Sequence, residues 1–216
     1  MKSRLLPLFA VLLSALLPLA AFAAAPAGPP PVEGVDYVVI EGGTPYAPVR
    51  GKVEVVEVFG YTCPHCAHFE PLISAWKARQ PASVNVVAVA APFGGYWTPY
   101  AKAFFAAQHH RVLARSHVAM FAALHDQRSL PIQNASTEQI AGFYAAYGVP
   151  AKRFAATMES PATAAALQRA RDFITASGVE GTPTLIVNGK YRVIGKGPED
   201  TLRIADHLVA RERAAR

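Results

Sequence analysis

Apolar residues along this chain follow two spacings. Val53-Glu54-Val55-Val56-Glu57-Val58-Phe59 is nearly continuous, as a strand buried on both faces of a parallel sheet should be. Phe69, Leu72, Ile73 and Trp76 then recur at helical intervals and predict a helix from Cys63 to about Arg79, with Pro71 expected to kink it. Val84 to Ala90 is the next strand. From Tyr96 to about Ala170 the pattern is helical, in several consecutive segments with their own start and stop signals. Thr98-Pro99 and Ser116 are candidate caps, Ser136-Thr137-Glu138-Gln139 holds a capping box, and Gly148 ends that helix. Ser160-Pro161 opens a long helix that Gly178 closes. Thr184 to Val187, the turn Asn188-Gly189 and Lys190 to Ile194 read as a β-hairpin. A last helix starts at Pro198 and carries Leu202, Ile204, Leu208 and Val209. A short strand is expected at Tyr37 to Ile40, followed by a loop over residues 42–51. The order strand, helix, strand, helical block, hairpin, helix predicts an α/β fold interrupted by an inserted helical subdomain.

The N-terminus follows a different logic. Lys2 and Arg4 precede the apolar run Leu5 to Leu19, and Ala21-Phe22-Ala23 is a small-x-small cleavage signal. Residues 1–23 therefore read as a secretory signal peptide, and residues 24–35 as a mobile, Pro-rich leader. Residues 36–95 and 171–216 form the two parts of one α/β domain, and residues 96–170 the helical insertion between them. The chain carries 21 basic and 15 acidic residues, a net of +6. Without residues 1–23 the balance is 19 against 15, or +4. The basic residues are scattered and lack an aromatic-interleaved stripe, which argues against nucleic acid as a partner.

The chemistry is concentrated in Cys63-Pro64-His65-Cys66, which holds the only two cysteines of the chain. Pro64 suits the first position of a helix, so both sulfurs fall on its first turn. Unpaired N–H groups and the helix dipole there favour an anion, and the thiolate is the reactive form of cysteine. Cys63 is thus the candidate exposed, acidic sulfur and Cys66 the more covered resolving one. His65 adds a donor beside the thiolate. A structural zinc site would need two further ligands, and His65 and His68 make a crowded, incomplete set. A haem attachment would need His at position 67, where Ala67 stands. A pair of inert thiols is the remaining alternative. His109, His110, His117 and His125 lie in the insertion; a metal site there is conceivable, and surface or interhelical packing is the simpler reading. Glu57 within the apolar strand is either a solvated edge residue or a buried proton acceptor beneath the cysteines, whereas Glu54 is expected to be exposed. Pro183 precedes a strand that should be central, where its missing N–H calls for a special role; a cis bond is the natural candidate.

Cys-Pro-His-Cys after a valine-rich strand with Glu57, together with Gly181-Thr182-Pro183-Thr184, resembles the DsbA family of periplasmic thiol oxidases in the thioredoxin superfamily, over about residues 36–208. The resemblance implies a thioredoxin-like fold with an inserted helical subdomain, an acidic first cysteine and a strongly oxidising disulfide. It implies catalytic roles for Cys63, Cys66, Pro64, His65 and Glu57, with a redox disulfide between Cys63 and Cys66. It also implies a client-binding loop at Thr182 and Pro183. A lysine that faces the buried acid in well-known members has no counterpart in Val84-Asn85-Val86-Val87-Ala88-Val89. The protein is expected to be an exported monomer of the periplasm that uses no cofactor or metal. It would oxidise unfolded or reduced exported proteins and be reoxidised by a DsbB-like, quinone-linked membrane protein. The alternatives are a disulfide reductase or isomerase, a metal-binding module, and a binding protein whose disulfide is structural.

Overall fold

The computed structural model describes residues 26–216. The expected signal peptide at residues 1–23 lies outside the described residues. Five strands form one sheet: β1 (Tyr37–Val39), β2 (Val53–Phe59), β3 (Val84–Ala90), β4 (Thr184–Val187) and β5 (Tyr191–Val193). Their spatial order is β1-β5-β4-β2-β3. β2 and β3 run parallel, with Val58 opposite Val89, and the other pairings are antiparallel. β2 is hydrogen-bonded on both sides and every one of its residues is buried, which is why its sequence does not alternate.

Two layers cover this sheet. On one side lie α1 (Pro64–Ala78) and α7 (Pro198–Ala214), which pack Phe69, Ile73, Trp76, Ile204 and Leu208 against Val53, Val55 and Leu185. The second core joins Val56, Val58 and the cysteine loop to the helices between β3 and β4. Those helices are α2 (Trp97–His109), α3 (Leu113–Phe121), α4 (Thr137–Phe143), α5 (Ala151–Met158) and α6 (Pro161–Ala176). A π-helical turn (Ala122–Asp126) extends α3, and a 3₁₀ turn (Tyr144–Tyr147) extends α4. The capping box at Ser136 and Gln139 forms, and Ser160 accepts from the Thr163 N–H. Gly148 and the Asn188-Gly189 turn adopt the left-handed backbone expected of them.

Some local expectations are corrected. α2 begins at Trp97, one residue before the Thr98-Pro99 pair. Ser116 lies inside α3, buried, with its hydroxyl bonded to the Val112 carbonyl, so it caps nothing. Glu54 is 1% exposed rather than solvated. Positions 54 and 57 are three apart on a strand and so point to opposite faces, and the loop before β2 folds over the first of them. There the Tyr46 and Ala47 N–H groups each donate to the Glu54 carboxylate at 2.6 Å. The described part of the leader is held against α7, where Arg203 donates to the Pro29 carbonyl and His207 meets the Ala27 carbonyl at 3.3 Å.

Candidate functional site

The site forms where β2 ends. The chain turns through Gly60–Cys63, closed by the Cys63 N–H donating to the Gly60 carbonyl at 3.1 Å, and enters α1. Cys63 is the N-cap residue, with extended backbone angles, and Pro64 takes the first helical position. Pro fits there because its missing N–H would have had no partner within the helix. Both cysteines are free thiols, and Cys63, expected to be exposed, is instead buried at 6% exposure because the cysteine loop packs into the core, while Cys66 is completely covered. Pro64 and His65 are exposed above them.

The two sulfurs are electrostatically unequal. The Cys66 thiol hydrogen-bonds to Cys63, and this is the largest influence bringing Cys63 down to about 5. The backbone N–H groups of Cys66 and His65 act in the same direction, against the cost of burial. Of His65 it is thus the main-chain N–H that favours the thiolate. Burial raises Cys66, and its bond to Cys63 raises it further. The Gly60 N–H donates to the Cys66 sulfur at 3.5 Å.

The loop before β4 faces this pair. The Thr182–Pro183 peptide bond is cis, and the Cys63 thiol donates to the Thr182 carbonyl at 3.5 Å. The buried Thr62 and Thr182 hydroxyls, on either side of Cys63, have no hydrogen-bond partner among the described residues. Cys63, Cys66, Thr182 and Pro183 are thus brought together although 119 residues separate Cys63 from Thr182.

Glu57 lies under this region, 5% exposed. Burial, reinforced by the Glu70 carboxylate, lifts its carboxyl to about 8, while Lys77 opposes the rise. With no lysine on β3, the positive charge that acts on Glu57 comes from Lys77 of α1, which lies two turns from Glu70 on the same stripe as Cys66 and Ile73. A cavity of about 470 Å³, lined by Glu57, Glu70, Lys77, Val87, Leu113 and His117, opens between α1, the sheet and α3.

Glu70 and Tyr61, polar residues of this region, had not been singled out. Glu70 is 4% exposed, and its spacing of four from Cys66 was the available signal. Tyr61, His117 and His125 join it in one network. The Tyr61 hydroxyl meets His117 Nδ1 at 2.7 Å, His117 Nε2 lies 3.3 Å from the Glu70 carboxylate, and His125 Nε2 meets the Tyr61 carbonyl at 2.7 Å. His110 instead bonds Thr157 at 2.9 Å, so the imidazoles of the insertion do not converge on one point.

Two free thiols at a helix N-terminus, one acidic and one not, facing a carbonyl on a cis-proline loop, can exchange a disulfide with another chain. Known proteins share this arrangement of the chain. A family profile described as thioredoxin matches residues 43–206. The thiol:disulfide interchange protein DsbA of Pseudomonas aeruginosa is 40% identical over 185 residues, 84% of this chain and 86% of the relative. Its counterpart from Azotobacter vinelandii is 38% identical over 186 residues, 84% of this chain and 85% of the relative. Among solved structures, the oxidoreductase DsbA from Xylella fastidiosa superposes with a TM-score of 0.84 at 53% identity, covering 85% of this chain and 98% of that one.

Proposed function

The chain belongs to the DsbA family of thiol:disulfide interchange proteins, and from this premise we propose that Cys63 and Cys66 are the redox pair with which it introduces disulfide bonds into exported proteins. The observation that carries the assignment is the pair itself: two cysteines on the first turn of α1, with Cys63 held as the acidic sulfur against Thr182 and Pro183. In the oxidised enzyme a client thiolate attacks the Cys63 sulfur. The Cys63–Cys66 bond breaks, Cys66 leaves as a thiolate and takes up a proton, and a client–Cys63 mixed disulfide forms. A second client thiolate then attacks the client sulfur and expels the Cys63 thiolate. The client has lost two electrons and the enzyme has gained them as a dithiol. An acidic Cys63 is a good leaving group in the second step, which favours release of oxidised client.

Thr182 and Pro183 lie beside Cys63 just before β4, and an extended client segment pairing with the backbone there would bring its sulfur into line. Pro64 leaves the first turn open above the sulfurs, and the His65 N–H supports the Cys63 thiolate. Glu57, uncharged below about 8, tunes the field beneath the pair and can take up or supply a proton. The enzyme acts as a monomer in the periplasm, delivered there by residues 1–23. Its electrons pass to a DsbB-like, quinone-linked membrane protein. No helix among the described residues is long and apolar enough to cross a membrane. The helical insertion covers the cysteine loop without supplying either sulfur.

The test combines redox equilibration with titration. Glutathione buffers should leave the parent largely reduced where an ordinary structural disulfide stays oxidised, and thiolate absorbance of the reduced parent should titrate near 5. Cys66→Ala removes the hydrogen bond that contributes most to this, so the Cys63 midpoint should rise by about one to two units, the worth of a hydrogen bond to a charged group. A parent midpoint near the free-cysteine value of about 8.5 would exclude the oxidase mechanism; a reducing equilibrium constant would identify a reductase.

A further inference from the structure

Tyr61 stands two residues before Cys63, is 2% exposed, and has its hydroxyl and its carbonyl each held by a histidine of the helical layer. Its hydroxyl meets His117 Nδ1 and its carbonyl meets His125 Nε2, both at 2.7 Å. The two histidines are eight residues apart, and the π-helical turn Ala122–Asp126 sets the register in which the second reaches its target. Such turns cost hydrogen-bond geometry and recur at functional sites.

The far side of His117 is also engaged. Its Nε2 lies 3.3 Å from Glu70, whose other oxygen accepts from the Ser74 hydroxyl at 2.6 Å. A neutral imidazole with its proton on Nε2 accepts the Tyr61 O–H at Nδ1 and turns that N–H toward the nearby Glu70 carboxylate. Phe59, Phe104 and Phe121 pack against the His117 ring at 5.0 to 6.1 Å between centroids, which holds its orientation.

The same loop controls the sulfurs. Gly60 donates its N–H to Cys66 and its carbonyl accepts from the Cys63 N–H, so a displacement of Tyr61 moves both ends of that turn. We infer that His117 and His125 are positioning residues, which act through Tyr61 to set how the Gly60–Cys63 turn holds the two sulfurs and thereby set their redox equilibrium. Neither imidazole contacts a sulfur atom in the hydrogen bonds formed. The charged and titratable groups around the network are Glu57 on β2, Glu70 and Lys77 on α1, and Tyr144 and Tyr147 on the 3₁₀ turn. The inference rests on the Cys63–Cys66 reading.

Four single variants and one double variant test it. Tyr61→Phe keeps the ring and removes the hydroxyl; His117→Leu removes its partner. Each should shift the glutathione equilibrium constant about twofold to tenfold, the worth of one hydrogen bond, and move the Cys63 thiolate midpoint, with thermal melts showing a folded protein. The double variant should shift no further than the larger single. His125→Leu should also shift the constant, whereas His125→Gln, which can place an amide N–H against the Tyr61 carbonyl, should stay near the parent. Folded single variants with the parent's constant and midpoint would overturn the inference, as would single effects that add. If Tyr61→Phe or His117→Leu fails to fold, the His125 pair decides: equal constants for Leu and Gln overturn it. A parent without any glutathione-linked equilibrium would instead remove the Cys63–Cys66 reading, and this inference with it.

Discussion

At the scale of single residues, the acidic groups on β2 behave differently from ordinary surface carboxylates. Glu57 is displaced upward from 4.5 to about 8, chiefly by burial. A group whose folded pKa is raised contributes stability that is complete below its unfolded pKa and is lost as pH rises through the folded one. Stability should therefore fall between about pH 4.5 and about pH 8 through this residue, by an amount on the order of a few kcal/mol. Glu57→Gln removes the ionisation and keeps the shape. Urea unfolding of the disulfide form, in which Cys63 does not titrate, should give a flatter profile across this range, with the variant more stable than the parent above pH 8. Glu54 is raised for the same reason and leaves a residual slope of the same sign, moderated by the N–H groups of Tyr46 and Ala47. A variant profile that parallels the parent's would show that Glu57 ionises freely.

Between elements, close approach matters most where the cysteine loop meets α2. A side chain on Gly60 would place its first carbon 2.0 Å from the Trp97 ring, so the loop and the start of α2 pack at a distance only glycine permits. Phe93 and Tyr96 flank that ring, with centroids 5.3 and 6.2 Å from it. Gly60→Ala must push Trp97 outward or tilt the turn that carries the N–H donor to Cys66. Overpacking of this kind costs roughly 1–3 kcal/mol. Denaturant midpoints should record that loss, and the glutathione equilibrium constant should move with it. An unchanged midpoint would mean that Trp97 yields freely.

Across the whole molecule, oxidation state and stability are linked through Cys63. In the dithiol form its pKa is lowered from 9.0 to about 5, so the folded state binds fewer protons than the unfolded one between those values. This contribution is absent below about pH 5, grows as pH rises and is complete above pH 9. The disulfide form has no such group. The stability of the reduced protein relative to the oxidised one should therefore increase with pH over that window, and thermal melts of both forms at acid and neutral pH measure it. Glu57 is common to both forms and largely cancels from the difference. A gap independent of pH would contradict an acidic Cys63 in the folded protein. The same linkage makes the disulfide oxidising, because whatever stabilises the dithiol form favours accepting electrons.

What the sequence determined by itself was local. The continuous run of β2, the first-turn position of Cys63 and Cys66 behind Pro64, the Ser136 capping box and the Asn188-Gly189 hairpin each rest on residues within one element or turn of one another. Backbone sterics and hydrogen bonding at that range do not depend on the rest of the fold. The approach of Thr182 and Pro183 to Cys63 was foreseen through a family resemblance, since no local rule joins positions 119 residues apart. The alternation of a strand places Glu54 and Glu57 on opposite faces, but it does not foretell the loop that covers the first or the Lys77 charge that acts on the second. The histidines of the insertion read as ordinary helix residues until the π-helical turn and the packing of α3 brought two of them to Tyr61. Burial and charge pairing depend on which surface closes over a side chain, and in this protein elements distant in sequence supply that surface.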